Sequence, residues 1–353
     1  MKNTFKKLGF CFILITLVFD SCKKSDEVSL SETPIVFTYA VRNVYRTQAE
    51  CGAHLILVGS SRVTSFGICW NTTGSPTVTD NFTSDGVITG QYSIKLKALE
   101  PNTVYYVRAY ATNSTGTSYG AEKKFTTMPL GTGIDFNSDL TYGTVSDIEG
   151  NVYKTIVIGT QTWMAENLRA TRYNDNTEIE LIGDGNDWMN TETPGYCWYE
   201  NNKQLYGNTY GAYYNWLTII TFRLCPTGWH VPSDNEWKAL EMNLGMTQAL
   251  ADAEGTRGTL EGSAIKEAGA NNWLQSGIPG TNTSGFTGVP GGYRSGYMGN
   301  FDEEGLASYW WTSTGYYPQG WIGYSRSMYS GSSGIARTLR YLKEGFNVRC
   351  IKN

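Results

Sequence analysis

One histidine in this sequence could act as a general base. His230 lies between Trp229 and Val231, directly before the predicted start of a helix. No serine nucleophile elbow and no cysteine partner is evident in its motif, which favours a structural imidazole that hydrogen-bonds to nearby backbone. The chain has 2 histidines, the other being His54, so a metal site with several histidine ligands is excluded. No catalytic residue is predicted, and the chain is not expected to be an enzyme.

Two acidic loops could bind Ca²⁺, because clustered hard oxygen ligands suit that ion. They span residues 184–187 and 302–304. The first loop is too short for an EF-hand and lacks its closing glutamate. Solvated acidic turns are the favoured interpretation, so no metal and no other cofactor is expected.

Aromatic side chains give the strongest indication of ligand binding. The sequence has 11 tryptophans, and all except Trp70 lie at or after Trp163. The tryptophans predicted to belong to a core are Trp163, Trp229, Trp237, Trp310 and Trp311. A second aromatic set lies among Gly, Pro, Gln and Ser, which predicts a loop between strands: Tyr316, Tyr317, Trp321 and Tyr324. Because aromatic faces stack on the C–H surfaces of sugars, we predict that this second set forms the rim of a ligand-binding site.

The elements that carry these residues fall into two domains, as the length of 353 residues and the change in tryptophan content indicate. The net charge of −4 provides no basic field for phosphates, so no nucleic-acid partner is expected.

In the first domain, residues 34–128, apolar and polar residues alternate in short runs between turns, which predicts an antiparallel β-sandwich. Residues 129–142 are predicted to be a linker, because they begin with a Pro/Gly-rich stretch without periodicity. Residues 143–353 form the second domain.

The first domain resembles the fibronectin type III modules of bacterial surface proteins. Residues 99–105 look like a tyrosine corner, and residues 66–70 and 105–120 fit the same pattern. Such modules usually serve as spacers.

The second domain resembles the FISUMP family, the major paralogous domain first named from Fibrobacter. Seven motifs in family order carry the resemblance, namely residues 161–168, 196–199, 210–216, 225–233, 285–294, 309–314 and 345–350. Ser233 and Glu236 form the pattern of a capping box, which predicts the start of the main helix. The resemblance implies a mixed α/β domain similar to C-type lectins and sulfatase-modifying factors. The predicted fold class is therefore mainly β, with an α+β second domain.

The C-type lectin resemblance also implies a disulfide between Cys225 and Cys350, joining the start of the main helix to the last strand. Cys51 and Cys69 of the first domain could pair across its sheets or remain free. Cys197 is then unpaired and is predicted to be a buried thiol. The spacing of these cysteines contains no CxxC motif, so a zinc site is not expected.

The N-terminal segment is typical of an export signal. Lys2, Lys6 and Lys7 precede an apolar run of residues 8–19, and Ser21 and Cys22 follow. A small residue directly before a cysteine resembles a lipobox, and the charged residue before it resembles the relaxed lipoboxes of Bacteroidota lipoproteins. We predict a signal peptide at residues 1–21, lipidation of Cys22 and a tether at residues 22–33. An ordinary secretory signal with an incidental cysteine is the alternative, and no later apolar run approaches the length of about 20 residues that spans a membrane.

These patterns together predict a lipid-anchored binding or adhesion protein on the outer membrane, exposed at the cell surface. Its lectin-like head would recognise a glycan or a surface protein, and the chain is expected to be monomeric. A structural component of a surface assembly or fimbrium is the alternative. An enzyme of the formylglycine-generating group is disfavoured, because that group works through a reactive cysteine pair and Cys350 is assigned a structural role.

Overall fold

A computed structural model describes residues 32–84, 90–129, 133–269, 271–273, 277–316 and 322–353. The predicted signal peptide, Cys22, Tyr317 and Trp321 lie outside the described residues. The chain divides into two units: unit 1 falls within Met1–Arg42, Glu50–Lys95 and Tyr105–Phe125, and unit 2 within Asn43–Ala49, Leu96–Val104 and Thr126–Asn353. No helix in the described residues has both the length and the apolar character needed to cross a membrane.

Unit 1 is built from β-strands in its described part. They are β1 (Ile35–Arg42), β2 (Ala49–Leu57), β3 (Ser65–Asn71), β4 (Asn81–Phe82), β5 (Gly90–Leu96), β6 (Val104–Thr112), β7 (Thr117–Tyr119) and β8 (Lys123–Thr126). One sheet has the order β1-β2-β5, and the other has the order β4-β3-β6-β7 with β8 also paired to β6. The ring of Phe66 in β3 lies 4.3 Å from that of Tyr92 in β5, which brings the two sheets together. Unit 1 is thus a fibronectin type III-like β-sandwich, as predicted.

The two cysteines of unit 1 are free thiols. Cys51 is buried and lies on the face of β2 that is buried, while the residues on the other face are more exposed. Phe66, which contacts the opposing sheet, lies three positions before Cys69 in β3. Because successive side chains of a strand point to opposite faces, Cys69 faces away from the core that Phe66 enters. The Cys69 thiol instead donates to the carbonyl of Pro76 at 3.3 Å, so the possible pairing of Cys51 with Cys69 is wrong.

Unit 2 mixes strands with short helices. Its strands are β9 (Gly143–Ser146), β10 (Val152–Ile158), β11 (Gln161–Met164), β12 (Glu180–Leu181), β13 (Gly195–Cys197), β14 (Tyr213–Tyr214), β15 (Trp229–His230), β16 (Gly255–Arg257), β17 (Tyr293–Arg294), β18 (Phe301–Asp302), β19 (Ala307–Tyr316), β20 (Ile322–Tyr329), β21 (Ile335–Tyr341) and β22 (Ile351–Lys352). Its helices are α1 (Gly185–Asn190), α2 (Lys203–Tyr210), α3 (Trp216–Ile219), α4 (Asp234–Asn243), α5 (Gln248–Asp252) and α6 (Glu261–Ile265), with a 3₁₀ turn at Tyr199–Asn201.

Small sheets organise unit 2. The orders are β15-β22-β11-β10-β9, β12-β13-β14, β16-β21-β20-β19 and β17-β18 in the described residues. Aromatic residues dominate the core between them, and the largest fully buried rings include Trp163, Trp188, Trp237, Trp310 and Trp311. Each indole buries more apolar area than an aliphatic side chain, so short elements can still enclose a stable core.

The main helix α4 begins as the sequence predicts. The hydroxyl of Ser233 accepts from the backbone N–H of Glu236, and the Glu236 carboxylate accepts from the N–H of Ser233, which completes the capping box. Cys225 is bonded to Cys350, so the predicted disulfide is confirmed. The bridge fixes the segment before α4 to the segment that enters β22.

Buried charges hold α4 against the β16–β21 side of its sheet. Glu241 accepts from Arg326 Nε at 2.6 Å and from Arg257 Nη2 at 2.7 Å. Asp234 accepts from Arg326 at 2.8 Å and from Arg337 at 2.9 Å. Burial alone would raise the pKa of Asp234, but its hydrogen bonds and charge interactions with the two arginines lower that pKa to about 2. The Asp234 carboxylate therefore stays ionised at neutral pH.

Candidate functional site

Two of the four aromatic residues predicted to form a rim are described, and they lie together. Tyr316 ends β19 and Tyr324 lies in β20, with ring centroids 6.5 Å apart. The guanidinium of Arg337 lies 4.1 Å from the centroid of the Tyr324 ring, and the Tyr324 hydroxyl donates to Glu254 at 3.4 Å. These two contacts orient the side chain of Tyr324.

The same sheet extends this rim to a third tyrosine. Tyr316 pairs directly with Ile322, and Ile322 pairs directly with Tyr341 of β21. Directly paired residues share one face of a sheet, so Tyr316 and Tyr341 lie two strand spacings apart, about 10 Å. Gly323 lies on the opposite face, where a Cβ atom would come within 2.5 Å of Trp216 Nε1. We call Tyr316, Tyr324 and Tyr341 the tyrosine row.

Tyr341 also lines an open cleft of about 820 Å³. Three segments form the cleft, residues 189–192 after α1, residues 296–297 after β17 and residues 341–344 after β21, together with Leu217 of α3. Most of its surface is apolar, and a cleft of this size suits a small ligand or one end of a longer one. The cleft and the tyrosine row share Tyr341, so they form one continuous surface.

Tyr297 faces this cleft with most of its ring in solvent. Tyr297 is 86% exposed and Tyr341 is 74% exposed. A turn presents Tyr297, because the Ser295 hydroxyl accepts from the backbone N–H of Tyr297 at 3.2 Å and of Met298 at 3.0 Å. Exposed aromatic rings at a defined position are the feature that ligand-stacking sites share.

A buried arginine positions the α1 wall of the cleft. Arg294 donates to the carbonyls of Ile182, Gly183 and Asp184, directly before α1. Its guanidinium lies 4.7 Å from the ring of Trp188 in α1. Four backbone carbonyls, including that of Gly299, thus accept the hydrogen bonds of the buried Arg294 guanidinium.

The floor of the cleft depends on close backbone contact. The Trp188 indole donates to the carbonyl of Lys343 at 2.7 Å, and Lys343 Nζ donates to the carbonyl of Met189 at 2.9 Å. The backbone N–H of Gly296 donates to the Glu344 carboxylate at 3.0 Å. Burial raises the pKa of Glu344 above its ordinary value. These contacts tie the three cleft segments to one another.

Replacing Gly296 by alanine should disturb this floor. A Cβ at Gly296 would lie 2.5 Å from the carbonyl carbon of Lys343, so the two backbones must separate. We expect Gly296→Ala to lower the free energy of unfolding by about 1–3 kcal/mol, measured by urea denaturation with tryptophan fluorescence. Gly331→Ala is the control, because a Cβ there meets no atom within 4 Å. Equal stability of the two variants would contradict the proposed close contact.

Residues 156–352 match the model of the Fibrobacter succinogenes major domain family. The chain belongs to this family. This match confirms the motif resemblance seen in the sequence. The matched residues make up most of unit 2, and they include the residues of the tyrosine row and the cleft.

Several solved structures are similar to part of the chain. The sensor domain of the anti-sigma factor RsgI4 from Pseudobacteroides cellulosolvens is similar at 14% identity and a TM-score of 0.22, covering 28% of this chain and 96% of that one. The FN1–FN3 domains of chicken CNTN1 share 22% identity at a TM-score of 0.23, covering 28% and 32% of the two chains. The fibronectin type III domain of human fibronectin type III domain containing protein 3 shares 20% identity at a TM-score of 0.21, covering 30% and 94%. No curated protein matches the chain.

The other polar motifs of the major domain have structural partners. His230 Nε2 lies 2.8 Å from Glu236, and Nδ1 lies 2.6 Å from the Asn353 side chain. Asp184 caps α1, because its carboxylate accepts from the backbone N–H groups of Asn186 and Asp187. Among the described residues no group of three or more His, Cys, Asp and Glu side chains is placed to hold a metal ion.

The sequence did not single out Tyr341. It lies beside Leu342 and Lys343 in a segment whose exposure depends on pairing with β20, and no local pattern reports that pairing. Tyr297 was not part of the predicted rim, and the neighbouring Gly296 and Ser295 were the available signal that it lies in a turn. Many other aromatic residues of this domain are buried, among them Trp188, Trp198, Tyr199, Tyr213, Tyr214, Trp216 and Trp273.

Proposed function

We propose that this chain is a lipid-anchored surface protein that binds glycans through the tyrosine row and the adjoining cleft. The observation that carries the proposal is the pair of exposed rings at the cleft, Tyr297 and Tyr341, in continuity with Tyr316 and Tyr324. Sugar rings have apolar C–H faces and a rim of hydroxyls, so they suit a surface of tyrosine rings with polar groups beside them.

The anchor and the surface location are parts of this proposal. The segment before Cys22 has the charge and length of an export signal, and a cysteine after a small residue suits lipidation. Family membership supports surface display. We further propose that unit 2 is related to C-type lectin folds, a relation supported by the disulfide that joins the segment before α4 to the segment before β22.

The states of the cysteines favour binding over enzymatic turnover. Cys350 is bonded to Cys225, so its thiol is not available as a nucleophile. Burial raises the pKa of the Cys197 thiol to about 12, so that thiol is protonated at neutral pH. We therefore propose that the chain binds its glycan without chemical change.

Removing either exposed ring should weaken binding and leave the fold intact. We expect Tyr341→Ala and Tyr297→Ala each to weaken the affinity for a bound glycan by about 3- to 10-fold, the value of one aromatic stacking contact. The ligand would first be found on a glycan array with the purified chain, in calcium and in chelator. Affinities of the variants would then be measured by calorimetry.

Phe222→Ala is the matched control for these variants. Phe222 is 77% exposed in the same unit and does not line the cleft. Its replacement should leave the affinity unchanged. An array without any bound glycan, for a chain shown by circular dichroism to be folded, would contradict the proposed function.

A further inference from the structure

Three charged side chains line the cleft, and they differ in the number of contacts that they make with the rest of the protein. They are Glu192, Glu344 and Lys343. The Lys343 ammonium is bound to the carbonyl of Met189 in the cleft wall. Glu344 accepts one hydrogen bond, from the backbone N–H of Gly296, and Glu192 accepts none within the described residues.

Neither carboxylate is neutralised by direct contact. No Lys, Arg or His nitrogen of the described residues lies within ion-pair distance of Glu192 or Glu344. Burial raises the pKa of Glu344, and the backbone N–H of Gly296 and the charge of Arg340 oppose that rise. The cleft thus offers a ligand more hydrogen-bond acceptors than donors. It also carries more negative than positive charge.

The aromatic walls add a second attraction for cations. The rings of Tyr297 and Tyr341 are largely exposed. Neither ring stacks on another aromatic ring or on a cation among the residues that the structure describes. A free tyrosine face attracts an ammonium group through the ring quadrupole, and a nearby carboxylate strengthens that attraction.

We infer that the cleft selects glycans that carry an amino group, binding the ammonium between the tyrosine rings and the carboxylates of Glu192 and Glu344. This inference rests on the glycan-binding function proposed above. An N-acetylated sugar has the same ring but no charge, and it would gain only the stacking contact. A sugar acid would be repelled by the two carboxylates. The tyrosine row would hold the neighbouring sugar rings of the same chain.

Matched tetrasaccharides test the inference directly. The full chain, purified in detergent, would be titrated by calorimetry with tetramers of glucosamine, N-acetylglucosamine, glucose and galacturonic acid, below the pKa of the sugar amines. We expect the glucosamine tetramer to bind at least about tenfold more tightly than the N-acetylated tetramer, and the galacturonic acid tetramer to bind most weakly. Tetralysine serves as an amine without a sugar ring.

Charge-removing variants give the internal control. Glu344→Gln and Glu192→Gln should each reduce the preference for the amine several-fold, and the double variant should abolish it while the N-acetylated tetramer binds as before. Glu180→Gln should change nothing, because Glu180 is exposed and does not line the cleft.

Each outcome separates the inference from the function on which it rests. Equal binding of the charged and N-acetylated tetramers would overturn the amine selectivity and leave glycan binding intact. Tighter binding of tetralysine than of the glucosamine tetramer would overturn the assignment of a sugar ligand. Binding of none of these compounds by a folded chain would overturn both proposals.

Discussion

The variant in which Cys225 and Cys350 are both replaced by serine should lose about 4–5 kcal/mol of unfolding free energy. The bridge spans 125 positions of the sequence. Closing so long a loop in the unfolded chain removes much of its conformational entropy, which the chain-entropy model values at this magnitude. Urea denaturation followed by tryptophan fluorescence reports on unit 2, because all tryptophans except Trp70 lie in that part of the sequence.

Reduction of the native chain provides the comparison for this variant. Dithiothreitol should lower the stability of the native chain towards that of the double variant and should leave the double variant unchanged. The buried thiols Cys51, Cys69 and Cys197 are already reduced, so they add nothing to the difference. A native chain whose unfolding curve is insensitive to dithiothreitol would contradict a stabilising role for the bridge.

Replacing Glu241 by glutamine should cost about 3–5 kcal/mol, although the two side chains have nearly the same shape. Glu241 is fully buried and accepts from two arginines, Arg326 and Arg257. The amide removes a negative charge between two buried guanidinium groups, and it turns one acceptor into a donor that faces another donor. Asp234 would then be the remaining carboxylate of the cluster, shared by Arg326 and Arg337.

A surface ion pair is the appropriate control for Glu241→Gln. Asp175 pairs with Arg223 at 2.6 Å, but the two side chains are 41% and 45% exposed. Because water screens such a pair, Asp175→Asn should cost far less stability than Glu241→Gln. Similar losses for both variants, measured by urea denaturation, would show that burial does not amplify the Glu241 contacts.

Local patterns in the sequence predicted several parts of this fold. The alternation of apolar residues predicted the strands of unit 1, and the Ser233–Glu236 spacing predicted the start of α4, because both signals depend on residues close together in the chain. The Cys225–Cys350 bridge followed from resemblance to a known fold. Cys51 and Cys69 were harder to interpret, since the face on which Cys69 lies depends on which face of β3 packs against the other sheet, and that packing is a long-range contact.

The candidate site was only partly predictable for the same reason. Tyr316 and Tyr324 lie on one hairpin, and their neighbours Gly, Pro and Ser indicated a loop. Tyr341 joins them through β20. The turn that carries Tyr297 is fixed by contacts of Gly296 with Glu344 and of Arg294 with the segment before α1, both of which are distant in the sequence. The partners of Arg294 are backbone carbonyl oxygens, and no residue type in the sequence marks a carbonyl for that purpose.

The position of β22 has a consequence for how unit 2 is made. In the sheet order β15-β22-β11-β10-β9, the strand at Ile351–Lys352 lies between two strands that precede it in the chain by more than a hundred residues. The ribosome therefore delivers the inner strand after the strands on both sides of it. Until then β15 and β11 have no strand between them, and Cys350 is not yet present to form the disulfide with Cys225. A partly synthesised chain cannot complete this sheet, so the sheet closes only after β22 has been synthesised.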